Sequence, residues 1–410
     1  MDMVDTTTDM GKSMLGIYKK FDHIRISGYM QPQFQAAQAK GLKNYSGGDF
    51  PANSSNRFTL RRGRIRFDYV HFAQKKGPSV QFVFQFDGTE RGVAIRDFWG
   101  RLLENKYSVF ALSMGMFARP FSYELNLSSS DRESPERGRM SQILMKTERD
   151  LGAMITFEPR KKDHPLRFLK IDAGLFNGQG LAATADFDSH KDFISRIALK
   201  PYHVSKKITL SAGASYLNGG LLQNTKYIYH TGNNNYGKTY IIDSATTNSG
   251  KIAPRKYYVA DVQVKIKNKA GYTELRAEYM FGTQTATAGN SETPAALLTG
   301  TEGHYIRRFN GAYFYLLQHI FNEHHQLGIK YDWYDPNSKV KKNDIGQPGT
   351  SLNATDIKYS TLGFGYIYYI NENLKLVLWY EKITNEKTQL PSYTKDVKDD
   401  IFTCRLQFRF

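Results

Sequence analysis

The end of the chain, Ile401 to Phe410, alternates without a break. Phe402, Cys404, Leu406, Phe408 and Phe410 share one parity, and Thr403, Arg405, Gln407 and Arg409 share the other. Successive side chains of a strand point to opposite sides, so a period of two makes a strand with one oily and one wet face. The pattern recurs upstream. Leu374, Leu376, Leu378 and Tyr380 oppose Lys375, Val377, Trp379 and Glu381; Leu362, Phe364, Tyr366 and Tyr368 oppose Thr361, Gly363, Gly365 and Ile367. Only Asn371-Glu372-Asn373, a turn composition, separates these two. Six more short polar connections are read at 74–78, 102–105, 159–165, 202–206, 267–270 and 321–325. Seven short turns join fourteen strands, and a first strand near Asp22–Phe34 and the terminal strand make sixteen. The eight other connections read as long and rich in Gly, Ser and Asn, for example 218–251 and 283–305. No unbroken apolar run is long enough for a membrane-spanning helix, which needs about 20 residues.

Short turns on one side, long loops on the other and an even strand count fit a transmembrane barrel of the bacterial type. A final strand closing on Phe410 resembles the C-terminal signal of bacterial outer-membrane barrels. The competing reading, an edge strand of a soluble sandwich, sits poorly with Phe as the last residue. The expectation is an all-β fold: a 16-stranded antiparallel transmembrane β-barrel with short periplasmic turns and long extracellular loops, in the bacterial outer membrane. Residues 1–21 read as a mobile lead-in with no visible signal peptide, and 22–410 as one barrel domain with both ends on the periplasmic side. No fixed repeat suggests a propeller or solenoid. Lipid is the expected environment, and 27 Tyr and 26 Phe among 410 residues suit it. The single cysteine, Cys404, permits neither an internal disulfide nor a cysteine-based zinc site; it reads as a small lipid-facing filler.

Charges fall on the parity opposite to the apolar residues. Phe82, Phe84 and Phe86 alternate with Gln81, Val83, Gln85 and Asp87; Leu275, Ala277 and Tyr279 alternate with Glu274, Arg276 and Glu278. That arrangement implies a wet interior, as in sixteen-stranded porins. The segment 57–70 is the most telling. Gly63, Ile65, Phe67 and Tyr69 share one parity; Arg62, Arg64, Arg66 and Asp68 share the other. Residues two apart on a strand lie about 6.8 Å apart, so the three arginines make a ladder of fixed charge along the lumen wall. Guanidinium is always charged and its fork suits phosphate or carboxylate oxygens. The same ladder could instead be neutralised by acids of an inward loop and hold that loop in place. Arg57, Arg61 and Arg96 add to the local excess.

Residues 115–124 read GMFARPFSYE, followed by Leu125-Asn126-Leu127-Ser128-Ser129-Ser130 and by Pro135-Glu136-Arg137. After the arginine-rich second strand and Phe86-Asp87, this stretch resembles the phosphate-selective porin O and P family, most clearly over 58–158. The resemblance implies a homotrimer of barrels passing small anions such as phosphate along arginines, with the third loop, about 119–146, folded inward. By position it implies roles for Arg61 and Arg62 as paired arginines of the second strand, for Asp97 as an acid of the fourth, and for Ser128 and Ser129 in the constriction loop. Together with Arg57, Arg64, Arg66 and Tyr123 these are the candidate pore-lining and anion-binding residues. Leu125 stands where phosphate-selective members carry a lysine, so the resemblance implies anion preference more directly than phosphate specificity.

Other chemistries find less support. Glu323-His324-His325 lies in a short turn, and Asp186, Asp188, Ser189 and His190 share one loop, but a triad is defined by geometry and not by neighbourhood in sequence. Acidic loop residues Asp335, Asp344 and Asp356 lack the spacing of an EF-hand. The 56 Lys and Arg against 39 Asp and Glu leave +17, yet these charges are spread over strands and loops rather than gathered into a nucleic-acid patch. The expectation is a passive anion channel, not an enzyme, with no cofactor, metal or nucleic-acid partner. The alternative is a non-conducting barrel serving as a scaffold or docking partner in an envelope assembly.

Overall fold

The computed structural model describes residues 23–73, 77–183 and 185–410. The expected lead-in, 1–21, and the centre of the expected turn at 74–78 lie outside the described residues.

Nine strands open the chain: β1 (Ile24–Ala37), β2 (Asn56–His71), β3 (Ser79–Thr89), β4 (Gly92–Leu103), β5 (Phe110–Ala118), β6 (Arg149–Phe157), β7 (Leu169–Phe176), β8 (Asp192–His203) and β9 (Ile208–Leu222). A hairpin follows, β10 (Ile228–Asn234) and β11 (Gly237–Asp243). Then come β12 (Ile252–Asn268), β13 (Gly271–Ala286), β14 (His304–His319), β15 (His325–Asp335), β16 (Tyr359–Tyr369), β17 (Leu374–Asn385) and β18 (Ile401–Arg409). Strand β9 bypasses the hairpin to pair antiparallel with β12. Strand β18 returns to β1, so sixteen antiparallel strands close a ring. The hairpin stands outside it, paired in parallel with the first residues of β14.

Closure is what lets a sheet live in hydrocarbon, where an unpaired backbone group finds no water to bond. At the seam, the Gly28 N–H donates to the Phe410 carbonyl over 3.1 Å and Phe410 N–H to Gly28 over 3.0 Å. The side chains are arranged inside out relative to a soluble protein. Ile65, Leu275 and Phe364 are about half exposed on the outer wall, while Arg62, Arg64 and Glu278 are buried within.

Six of the seven expected short turns fall where the sequence places them, from the one between β4 and β5 round to the one between β16 and β17; β2 and β3 flank the seventh, whose centre lies outside the described residues. The opposite end departs from expectation at one point. β3 and β4 are joined by Glu90-Arg91 alone, with Gly92 at φ 139°, so seven of the eight connections there are long and this one is a tight hairpin.

Three pairings slip register: between Met30 and Pro32 of β1, between Gln85 and Phe86 of β3, and between Leu199 and Tyr202 of β8. Pro32 and Pro201 sit at two of them, where a residue without an N–H can be tolerated.

The interior is not uniformly wet, which corrects the sequence expectation. Residues 119–148, between β5 and β6, fold into the lumen and carry two short helices, α1 (Tyr123–Asn126) and α2 (Arg139–Leu144). Phe121, Leu125, Met140, Ile143, Leu144 and Met145 of this loop pack with Leu217, Tyr257, Met280, Phe309 and Tyr334 of the wall from β9 to β15. Toward the short turns, a cavity of about 800 Å³ stays open between the loop tip and the ends of β13, β16, β17 and β18, lined by Glu133, Tyr272, Arg276 and Lys375. Across β14 to β17 a second cluster of Tyr313, Tyr315, Leu317, Ile367, Val377 and Trp379 also faces inward.

Candidate functional site

The most strongly charged open part of the lumen lies between the inward loop and the wall from β2 to β8, as a cavity of about 680 Å³. Its size and charge follow from how the loop is seated. The loop enters past Gly115, where a φ of 126° and the close approach of the Phe98 carbonyl leave no room for a side chain. At Ser122 the chain turns with φ 66°, and the Ser122 hydroxyl donates to Glu278 Oε1 at 2.6 Å while Tyr123 N–H donates to Glu278 Oε2 at 2.8 Å. Glu124 then ties the two short helices together, accepting from Gly138 N–H at 2.9 Å and from Ser141 Oγ at 2.5 Å. The tip is held by β17 and β18: Lys375 Nζ donates to the Ser130 carbonyl at 2.9 Å and Gln407 Nε2 to the same oxygen at 3.0 Å. Glu133 pairs with Arg276 at 2.7 Å.

Glu136 is the main anchor on the arginine wall. Arg61, Arg62 and Arg405 reach its carboxylate at 2.9, 2.6 and 2.8 Å. Burial alone would raise its pKa, but the three guanidinium groups outweigh burial and hold the carboxyl well below its ordinary range. Glu148, where the loop rejoins the barrel, stands the same way toward Arg137, Arg96 and Arg149, and it too is held low against burial.

Two of the register slips shape the wall. Met30 opposes Gly63 and Pro32 opposes Leu60, so Arg61 and Arg62 together face Gln31. Gln85 opposes Asp97 and Phe86 opposes Ile95, which leaves Arg96 as the extra residue. Two residues against one is a β-bulge, and it re-aims the side chains it displaces. Each bulge turns two adjacent charged residues inward, Arg61 with Arg62 and Arg96 with Asp97, where strict alternation would press one of each pair into lipid.

Of the expected residues, Arg61, Arg62, Arg64, Arg66, Asp97, Ser128 and Ser129 line the cavity. Arg64 pairs with Asp87 at 2.9 Å and donates to the Tyr29 hydroxyl at 2.8 Å; Arg66 pairs with Asp68 at 2.6 Å. Asp97 holds Arg149 at 3.1 Å. The Ser129 hydroxyl is bound to Tyr29 at 2.6 Å, whereas Ser128 is exposed to the cavity. Arg57 and Tyr123 lie away from it. Arg57 binds the loop carbonyls of Gly48 and Asp49, both at 2.7 Å, and the Tyr123 ring lies 6.0 Å from the Arg276 guanidinium. Leu125 belongs to the apolar cluster that seats the loop.

Residues not singled out from sequence also line the cavity: Arg101, Arg149, Lys170 and Arg196 from strands, Arg132 and Arg137 from the loop. Arg101, Lys170 and Arg196 each share the inward parity of an alternating strand, so the pattern that exposed Arg62 to Arg66 could have found them. Arg132 and Arg137 carried no such signal, because a loop has no period. In all, thirteen Lys or Arg and six Asp or Glu border the cavity, an excess of seven positive charges. Arg96 Nε, Arg132 Nε and Nη1 and Arg137 Nη1 have no acceptor among the described residues.

The residues weighed for catalysis are engaged in local structure. His324 and His325 bond the Tyr369 carbonyl and the Tyr366 hydroxyl, each at 2.6 Å. Asp186 pairs with Lys191 at 2.6 Å, and Asp188 accepts from the backbone of His190 and Leu222 at 3.0 and 2.9 Å.

A model of the family described as phosphate-selective porin O and P matches residues 52–410. No curated relative matches the chain. Among solved structures, an anion-selective porin from Comamonas acidovorans is similar with a TM-score of 0.56 at 10% identity, covering 94% of this chain and 99% of that one. The outer-membrane channel DcaP of Acinetobacter baumannii follows with 0.55 at 13% identity, covering 94% and 97%. OmpT of Vibrio cholerae, in a trimer form, gives 0.50 at 9% identity, covering 94% and 99%. At such identities the likeness speaks for the barrel fold.

Proposed function

The chain belongs to the phosphate-selective porin O and P family and is a bacterial outer-membrane porin, and from that premise we propose that it passes small anions by passive diffusion through the arginine-walled cavity. The observation that carries this reading is the excess of seven positive charges round a narrow opening. Acids set back from the lining answer three of these cations, Asp68 with Arg66, Glu292 with Lys146 and Asp261 with Arg196, which leaves an excess of four. Glu136 faces three arginines and Glu148 another three. Charges in a confined, low-dielectric opening act over a longer range than in open water, so such a wall raises the local concentration of anions and lowers that of cations.

On this reading Arg62, Arg64 and Arg66 serve twice, as seats for the loop or for neighbouring acids and as fixed charge along the path. Ser128 offers a hydroxyl to a passing oxyanion. Phosphate falls within the class carried, but Leu125 contributes packing and no charge, so we expect little preference for phosphate over other anions of similar size. We further propose a homotrimer as the working assembly. The test is a planar-bilayer recording under a salt gradient. Arg62→Glu with Arg64→Glu is expected to shift the reversal potential toward cations; unchanged selectivity would remove these rungs from the mechanism. A wild-type barrel that inserts but shows no conductance would favour the sealed-scaffold reading.

A further inference from the structure

The outer wall carries a basic feature that conduction does not use. Arg255-Lys256 on β12 and Arg307-Arg308 on β14 are adjacent pairs of cations. In each, the first residue faces inward and has a carboxylate: Arg255 pairs with Asp192, and Arg307 with Asp356 at 3.1 Å. The second faces outward and is exposed. Neither Lys256 nor Arg308 has a carboxylate within ion-pairing distance among the described residues. The register puts them in one row, since Lys256 opposes Thr283 of β13 and Thr283 opposes Arg308. Two strand spacings separate their backbones, about 10 Å. On the other side Lys256 opposes Asn218 of β9, so the row is polar throughout.

Its height on the barrel is defined by what lies next to it. One pleat toward the membrane centre, Tyr216, Tyr258 and Phe281 form a continuous aromatic strip, with ring centroids 5.2 and 5.4 Å apart. Aromatic girdles of this kind mark the edge of the hydrocarbon band on transmembrane barrels. From Lys256 to Ile266 the strand runs about 33 Å, or about 25 Å along the membrane normal at the usual tilt, which matches the height of that band. Lys256 therefore stands at the headgroup level on the long-loop side, and Arg308, two strands along a row that the tilt slopes by about 6 Å, stands within the same headgroup layer.

We propose that Lys256 and Arg308 bind the phosphate groups of an anionic glycolipid of the outer leaflet, with Asn218 and Thr283 supplying hydrogen bonds and the aromatic strip beneath receiving its first acyl carbons. Two unpaired cations about 10 Å apart suit a headgroup bearing phosphate on a sugar scaffold, and Arg308 supplies the planar fork that phosphate oxygens favour. The site is independent of the anion path, because both side chains point away from the lumen.

The full chain, folded in detergent, is titrated with lipid A and the bound lipid is counted by native mass spectrometry. Dephosphorylated lipid A and phosphatidylglycerol serve as comparators. Lys256→Gln with Arg308→Gln is expected to weaken lipid A binding roughly tenfold or more, while Lys256→Arg binds as wild type. Heat-modifiable migration and bilayer conductance, read on the same samples, should stay unchanged, which separates failure here from failure of the channel reading. Equal lipid A binding by the double variant overturns the site. Equal binding of phosphatidylglycerol or of the dephosphorylated form overturns the glycolipid assignment.

Discussion

At Glu136 one carboxylate answers three guanidinium groups, and this inequality links loop seating to pore charge. The carboxylate is needed to bring the loop to the wall; the unanswered charge remains to act on solutes. Its pKa, held well below the ordinary range by Arg61, Arg62 and Arg405 against the opposing pull of burial, gives a pH prediction. A depressed native pKa stabilises the loop at all pH above the unfolded value, about 4.3, and that support is lost only as pH falls through the lower native value. The part of the reversal potential and open-channel noise that depends on Glu136 is therefore expected to hold steady from pH 7 to about 5. A titration midpoint inside that interval, absent from Glu136→Gln, would show that the carboxylate is not held by the arginines.

Among the elements, the bulged strands decide which charges enter the pore. Leu60 and Gly63 flank Arg61-Arg62, and Ile95 and Phe98 flank Arg96-Asp97; in both cases the flanking residues keep the outward parity on either side. The extra residue can thus be removed without inverting the rest of the strand. Deleting Arg96 is expected to leave a folded barrel with normal heat-modifiable migration and weaker anion preference. Deleting Phe98 instead would turn Trp99 and Arg101 to the opposite faces and place an arginine against lipid, at about 2–4 kcal/mol near the midplane. Equal folding of the two deletion variants would refute the bulge as the cause. Adjacent charges between apolar neighbours were visible in the sequence at both places. Read with the cost of a lipid-facing arginine, they specify an inward pair.

For the whole molecule, an inside-out barrel with an inward loop packed against the wall from β9 to β15 sets its arginine-walled opening off-centre, beside β2 to β8. Its selectivity is then electrostatic and screenable. The Debye length falls from about 10 Å at 0.1 M salt to about 3 Å at 1 M, so anion preference measured at a constant gradient ratio is expected to decline across that range. Selectivity that does not change with salt would point to specific binding sites rather than a fixed field.

Strand number, turn positions, the closing terminal strand and the ladder Arg62–Arg64–Arg66 were all legible in the chain, because the membrane imposes a period of two that local composition must obey. The inward course of residues 119–148 was legible only through resemblance to a family, and its partners were not. That Glu136 gathers Arg61, Arg62 and Arg405, or that Leu125 joins Tyr257 and Met280 in an apolar cluster inside the barrel, depends on residues far apart in sequence. Parity states which face a side chain takes; only closing the ring brings opposite walls within reach of one loop. That closure decided where the lumen is filled and where a path stays open.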